Sequence, residues 1–592
     1  MRGRICNRLT NMRFYRKHAM GILSLRRGRL VSWLIGLIGV VAGSAALAQI
    51  PPAGSPLPGV LAPRRPVVAP VSQMPTTPPI RVTQPETVYA VADVAVEGGT
   101  LYAPAELAAL FGGVRGQATG AQMAAAAQAL LERYRADGYL LTTVAPAYVP
   151  VTHRLVIRVV EARIAAVRLD GDVGPVAAQI HRFLDPLTEA GPIKQAVLER
   201  RLLLAQDIPG ISLQGVLQPS EGAPGELVLV AKVARTPFNV LALASNRGAA
   251  NLGPEQGLLV LSANSFSEYG ERSEVSLLRS VNGTQIFGQA ASEVFLGGDG
   301  LKLRIQAGSG TTDPSGVLRA LAYDGVTSTA GVALSYPLIR SRQQSLVLGG
   351  NLDLVESHVS ETQAVIGRDN LRLARLALDY VGSDLWLGEA RGGVNALGLR
   401  LSQGVPVFGA TRNGDALASR PGERGDFSKA GLEASRTQSL WRWEGGASLA
   451  VQTSVAGQIS GSVLPPAEKF FLGGDRLNRG YYAGQVTGDS ALAASAEVQF
   501  NTGWSPDLFG AARPVGVQVY GFYDWGETWE NQASDANHRL ASFGAGARLT
   551  LAPGYELDLE AVDRAVRFPL GRSSAVAALR AQGLFWRLMV RY

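Results

Sequence analysis

Two rhythms of apolar and polar residues divide this chain. After about residue 237, apolar and polar positions alternate in short runs such as "LKLRIQA" (301–307), "YELDLEA" (555–561) and "FWRLMVRY" (585–592), with clusters of Gly, Asn, Asp and Ser between them. A period of two gives each run one apolar and one polar face, which predicts a long series of strands separated by turns. Upstream the period is mixed. "YAVADVAVEGG" (89–99) reads as a strand. "TGAQMAAAAQALLERYRADGY" (119–139) reads as a helix, with Thr119 and Gln122 as a capping box and Gly138 as its stop. Met123, Ala127, Leu130, Leu131 and Tyr134 line one face of it. "RLVIRVVEARIAAVRLDG" (154–171) reads as a strand running into a second unit, "IKQAVLERRLLLAQ" (193–206) as that unit's helix, and "ELVLVAKVA" (226–234) as its closing strand. The recurring order predicts two diverged α+β modules, 88–162 and 163–236, followed by an all-β region over 237–592.

The N-terminal region changes the meaning of the charge. The first 29 residues carry nine Lys or Arg and no acid, and they lead into the uncharged "LVSWLIGLIGVVAGSAALA". A basic segment, an apolar segment and an Ala46-Leu47-Ala48 ending predict a secretory signal over 1–48, with Met20 as a second possible start. A retained membrane anchor is the alternative. Removing the nine basic residues of the signal leaves 47 basic against 48 acidic residues, so the basic balance of the whole chain makes no case for nucleic acid. The single cysteine, Cys6, is lost with the signal, which excludes a disulfide framework or a cysteine metal site in the mature chain. Residues 50–86 contain eleven prolines and predict an extended tether, 49–87.

A secreted, strictly alternating region fits a transmembrane β-barrel with an apolar lipid face and a polar lumen, although a soluble sandwich would alternate too. The C-terminal strand favours the barrel. Counting back from Tyr592, Val590, Leu588 and Trp586 share one face and Arg591, Met589 and Arg587 the other. The same parity in "VQVYGFYDWG" (517–526) turns Val517, Val519, Gly521, Tyr523 and Trp525 to lipid, and Gln518, Tyr520, Phe522 and Asp524 to the lumen.

Two such modules before a barrel resemble the outer-membrane transporters of two-partner secretion, the haemolysin secretion/activation proteins of the Omp85 superfamily. "YRADGYLLTTVAPAYVP" and "LVIRVVEARIAAVRLDG" resemble that family's first polypeptide-transport-associated (POTRA) domain, with Ala162 where glycine is usual after Glu161. "FFLGGDRLNRGYYAG" resembles its sixth-loop signature: Arg479, Gly480 and Tyr481 match, and Asn478 stands where valine is commoner. The resemblance implies 16 barrel strands and a sixth loop, near 472–490, folded inward so that its arginine meets an acid on the wall. Asp524, with Phe522 beside it, is the inward-facing candidate. It implies that Trp586, Leu588, Val590 and Tyr592 form the insertion signal read by barrel-assembly machinery in the outer membrane, and that the modules stand in the periplasm of a Gram-negative cell. It also implies a partner: an unfolded exoprotein of adhesin or haemolysin type, bearing an N-terminal secretion domain.

No catalytic or cofactor chemistry is legible. His153, His181, His358 and His538 are scattered without metal-ligand spacing. "GDS" (488–490) lacks the strand-turn-helix setting of a hydrolase nucleophile. "GAG" (544–546) runs into an alternating strand rather than a helix, so it is not a dinucleotide loop. A barrel-assembly factor of the same superfamily and a passive porin are the rival readings, the porin weakened by the upstream modules. A pore-plugging helix, frequent in the resembled family, cannot come from the proline-rich segment.

Overall fold

The computed structural model describes residues 80, 84–315, 319, 322–508, 511–551, 554–571 and 578–592. The signal segment and all but the last few residues of the proline-rich segment lie outside the described residues.

Strands β1 (Val88–Val91) and β3 (Gly116–Thr119) form a two-stranded ribbon, while β2 (Asp93–Glu97), β5 (Arg154–Val160) and β4 (Thr143–Val149) form a three-stranded sheet in that order. The run 89–99 is therefore two strands rather than one, broken at Ala92, because β1 pairs antiparallel with β3 and β2 parallel with β5. The helix Gly120–Ala136 carries the capping box at Thr119 and Gln122, and its buried face includes Met123, Ala127, Leu130, Leu131 and Tyr134. Asp137 caps its C-terminus, and Gly138 follows in the left-handed conformation (φ 92°). An eight-residue helix, Pro104–Phe111, precedes it and is not among the elements expected from the sequence.

The run 154–171 is likewise two strands. β5 ends at Val160 and β6 (Arg163–Gly171) starts a new sheet, in the order β6, β8 (Glu226–Arg235), β7 (Ile211–Pro219). β8 is last in sequence yet central in the sheet, paired parallel to β6 and antiparallel to β7. Helices Ala177–Leu184 and Gln195–Gln206 cover this sheet, the first of them unmarked in the sequence reading. At the junction, Glu161 accepts hydrogen bonds from Thr100, Leu101 N–H and Tyr134. Burial raises the carboxyl, but these donors outweigh it and hold Glu161 below the usual range.

Residues from 238 onward close into an antiparallel barrel of 16 strands. The first eight are β9 (Phe238–Ser245), β10 (Gln256–Asn264), β11 (Arg272–Ser280), β12 (Gln285–Leu296), β13 (Leu301–Thr312), β14 (Tyr323–Arg340), β15 (Gln344–Glu361) and β16 (Ala364–Asp384). β17 (Gly393–Gly404), β18 (Ser428–Arg442) and β19 (Ser448–Ser460) follow. The loop after them contains the small hairpin β20 (Phe470–Leu472) and β21 (Val486–Gly488). β22 (Ser490–Trp504) then leads through the hairpin β23 (Asp507–Leu508) and β24 (Ala511–Ala512) into β25 (Val515–Trp529), β26 (His538–Leu551), β27 (Tyr555–Arg564) and β28 (Gln582–Arg591). β28 closes on β9 over Arg587↔Ser245 to Arg591↔Leu241. Period-two patterning is realised as read: Tyr520, Phe522 and Asp524 are buried within, while Val519 and Tyr523 are exposed outward. At the C-terminus Phe585 and Met589 are buried, whereas Trp586, Leu588 and Tyr592 face out.

The second sheet sits under the near end of the barrel. Phe295 of β12 belongs to that module's core and packs edge-to-face on Phe183 at 5.2 Å. Arg340 of β14 holds Asp207 through two bonds of 2.8 Å. Gln179 donates to Gly297 O and Arg201 to Gly298 O.

Candidate functional site

Loop 461–489 connects β19 to β22 and is the sixth loop at the barrel end remote from the modules. It turns back into the lumen. Gly473 and Gly474 both have positive φ (100° and 117°), and a Cβ on Gly473 would lie 2.1 Å from Tyr482 O, so only glycine allows the two limbs to meet. Asn478, fully buried, adopts φ 57° and donates to Leu540 O. Asparagine tolerates this left-handed conformation better than a β-branched residue.

The tip seats Arg479 against β22 and β25. Its Nε and Nη2 each donate to Asp524 at 3.0 Å, and its backbone N–H reaches the same carboxylate at 2.7 Å. Nη1 pairs with Glu497, Nη2 also reaches Ser495 Oγ at 3.1 Å, and the guanidinium lies 3.8 Å from the centre of the Phe522 ring. Asp524 is fully buried and Arg479 nearly so. A buried arginine needs this many partners, because desolvation of an unpaired charge is costly. Ser495 and Asp524 are register partners on β22 and β25, as are Glu497 and Phe522.

The neighbouring loop residues are held as tightly. A Cβ on Gly480 would come within 2.4 Å of Ser542 Cβ, so the backbone lies directly on β26. Gly480 N–H donates to Ser542 Oγ, and its carbonyl accepts from Arg564. Tyr481 is fully buried and donates to Ala541 O at 2.8 Å while accepting from Val566 N–H at 3.1 Å. Gly526, two residues beyond Asp524 on the lumen face, leaves room for Asn478: a Cβ there would sit 2.4 Å from its Oδ1.

The sequence thus brings Arg479, Gly480, Tyr481, Phe522 and Asp524 to one place. Trp586, Leu588, Val590 and Tyr592 lie on a separate outer strand face. The reading missed Glu497, Ser495, Ser542, Arg564 and Gly526. Lumen parity marks Glu497 in "AEVQF", but nothing local ties it to the loop. Arg548 extends the network, bonding Glu497 at 2.7 Å and Asp558 at 3.1 Å.

A second arginine fixes the same loop at the barrel mouth. Arg420, in loop 405–427, bonds Asp489 at 2.8 Å, Glu530 at 3.0 Å and Asp535 at 2.9 Å. Lys469 bonds Glu530 at 2.6 Å. Beside it, burial and the adjacent Asp369 push the Glu423 carboxyl up to about 9, and Glu423 accepts from Arg420 N–H.

The other motifs have structural uses. Asp489 of "GDS" is held by Arg420, and Ser490 bonds Ser460 O. The glycines of "GAG" make room for aromatic rings: a Cβ on Gly544 would meet Phe522 at 2.7 Å, and one on Gly546 would meet Tyr520 at 2.4 Å. Among the described residues, no three His, Asp or Glu side chains gather as metal ligands.

Residues 226–549, more than half of the chain, match the family described as haemolysin secretion/activation protein ShlB/FhaC/HecB. No curated protein sequence matches. Among solved structures, CdiB from Escherichia coli is similar, with a TM-score of 0.69 at 20% identity, over 89% of this chain and 94% of that one. CdiB from Acinetobacter baumannii is similar, with a TM-score of 0.59 at 14% identity, over 100% of both chains. Those likenesses establish the fold, POTRA-like modules before a barrel. The chain belongs to the haemolysin secretion/activation family, and it is an outer-membrane transporter of two-partner secretion, with its modules in the periplasm and an exoprotein as its secreted partner.

Proposed function

We propose that 88–162 and 163–236 are two POTRA-like receiving modules for an unfolded exoprotein with an N-terminal secretion domain, and that 237–592 is its pore. An extended segment of adhesin or haemolysin type adds to a free sheet edge, where main-chain hydrogen bonds supply affinity and side-chain pockets supply selectivity. β6 and β7 are the edges of the second sheet. The chain then passes through the lumen once the sixth loop yields, and folding outside draws it onward. This transport uses no cofactor and assigns the chain no catalytic chemistry. The barrel-assembly machinery reads the outer face of β28 at Trp586, Leu588, Val590 and Tyr592, and lipid covers that face afterwards.

The observation that carries the reading is the seating of Arg479 on Asp524 in a lumen that an open porin would keep clear. Deleting residues 88–161 from the full chain tests it, since the second module and its Phe295 contact stay intact. Export should be lost while the inserted barrel still conducts ions. Undiminished export would place cargo recognition outside the first module.

A further inference from the structure

Among the described residues four arginines are almost fully buried: Arg340, Arg420, Arg479 and Arg564. Three of them hold carboxylates, Arg340 that of Asp207, Arg420 that of Asp489 and Arg479 that of Asp524. Arg564, only 6% exposed at the extracellular end of β27, forms no ion pair among the described residues. Its Nε donates to Gly480 O at the loop tip, and its Nη1 donates to Arg580 O at 2.9 Å and Gln582 O at 3.2 Å. Nη2 donates to no atom among the described residues and lies over Gly583, where a Cβ would sit 2.6 Å from it. Carbonyl oxygens accept a cation's hydrogen bonds but do not neutralise it, and a buried charge left unneutralised is costly.

The same guanidinium borders a cavity of about 380 Å³ lined also by Tyr482, Arg580, Gly583, Leu584 and Phe585. Arg580 is exposed and without an ion pair among the described residues, and the Tyr482 hydroxyl makes no hydrogen bond there. The Phe585 ring lies 5.6 Å from the Arg564 guanidinium and 4.2 Å from that of Arg247, whose buried Nε also lacks an acceptor. Arg247 holds the one carboxylate of this group, Glu560, at 2.6 Å. Asp563, next in sequence to Arg564, takes the opposite, outer face of β27. Positive charge is therefore in excess around the cavity, and the loop from β27 to β28, 565–581, contains no Asp or Glu to offset it. A guanidinium fork suits an oxyanion, and a phosphate brings about two negative charges at neutral pH. The wall is thin beside this site. β28 pairs with β9 only from Arg587 to Arg591, and above that Asn246 bridges the gap, bonding Leu584 O at 3.0 Å and Trp586 N at 2.8 Å. Leu584, which lines the cavity, is exposed on the lipid face.

We propose that this cavity is a phosphate site, with Arg564 Nη2, Arg580 and the Tyr482 hydroxyl as donors, for a phosphate carried by an outer-leaflet lipid or free in the medium. A bound phosphate fixes Arg564 in place, and with it the hydrogen bond to Gly480 O that holds the loop tip. The test titrates the full chain, in micelles of an uncharged detergent, with inorganic phosphate and separately with phosphatidic acid, by calorimetry. Saturable binding is expected, and R564Q should weaken it roughly tenfold or more, because hydrogen bonds to a charged group are lost. R580Q, at an exposed side chain, should weaken it by a smaller factor, with heat-modifiable migration confirming that each variant is folded. Displacement of inorganic phosphate by phosphatidic acid assigns the site to a lipid headgroup, and phosphate binding that phosphatidic acid leaves unchanged assigns it to the free ion. Acetate competing with phosphate at equal concentration would overturn the phosphate assignment in favour of a carboxylate. No saturable binding of either probe, or wild-type affinity in either folded variant, would overturn the site itself.

Discussion

Two arginines hold the sixth loop, one at its tip and one at its base, and they differ in kind. Arg479 sits in the lumen with one bidentate carboxylate, a second acid and an aromatic face, all from the walls β22 and β25. Arg420 sits at the extracellular mouth, and its acids come from the end of the sixth loop and from the seventh loop. The inner arginine fastens a loop to a rigid wall, whereas the outer one fastens loops to one another. The cost of losing each should follow the rigidity of what remains.

The largest effect is expected at the inner site. Arg479→Ala leaves Asp524 buried without its cation, and Asp524→Ala leaves the buried Arg479 resting on Glu497, at up to about 3–5 kcal/mol of loop seating. Cargo in the medium should fall sharply while the barrel still migrates as a folded, heat-modifiable species. A charge-swapped double variant should recover only part of the loss, because fork geometry is not restored.

Arg420→Ala should cost less, about 1.5–3 kcal/mol for hydrogen bonds to charged groups, since Lys469 still pairs with Glu530 and the loops around Asp489 can adjust. Proteolysis of loop 405–427 on whole cells should accelerate, with export reduced less than by Arg479→Ala. Equal export defects would erase the distinction between wall and loop attachment.

Acidity should act on the outer site through Glu423. Its carboxyl, ordinarily at 4.5, is raised to about 9 in the folded loop by burial and by Asp369, so the folded state binds the extra proton between those values. Stability of this loop is therefore greatest at low pH, falls as pH climbs through that window, and is lost once Glu423 ionises beside Asp369. Loop proteolysis in the wild type should rise towards pH 9, and Glu423→Gln should flatten the profile.

The smallest effect is expected from Arg476→Ala. Arg476 is three residues from Arg479 and pairs with Glu433 at 2.9 Å, but both side chains are well exposed. Such pairs contribute under about 1 kcal/mol. Export and folding should match the wild type, so a strong defect would show that proximity to the tip, rather than burial, governs the loop.

The inner site was legible because each half carries a local mark: the glycine-arginine-tyrosine grammar of 472–485, and strict alternation through 517–526 that points Asp524 inward. The outer site was not. Arg420 lies in a loop without period, and its acids follow 69, 110 and 115 residues later, brought near only by barrel closure.

Taken alone, the sequence determined the class of structure. A side-chain period of two is a property of the extended backbone itself, and it sorts residues between lipid and lumen without knowledge of any neighbour. Tertiary structure decided what depends on register between distant segments. It split 89–99 and 154–171 between separate sheets, placed Phe295 of the barrel in the second module's core, and supplied Glu497 to Arg479. Each of these is a pairing between strands or loops far apart in the chain. Local pattern fixes which face a residue takes, but only closure of the sheet fixes what it meets there.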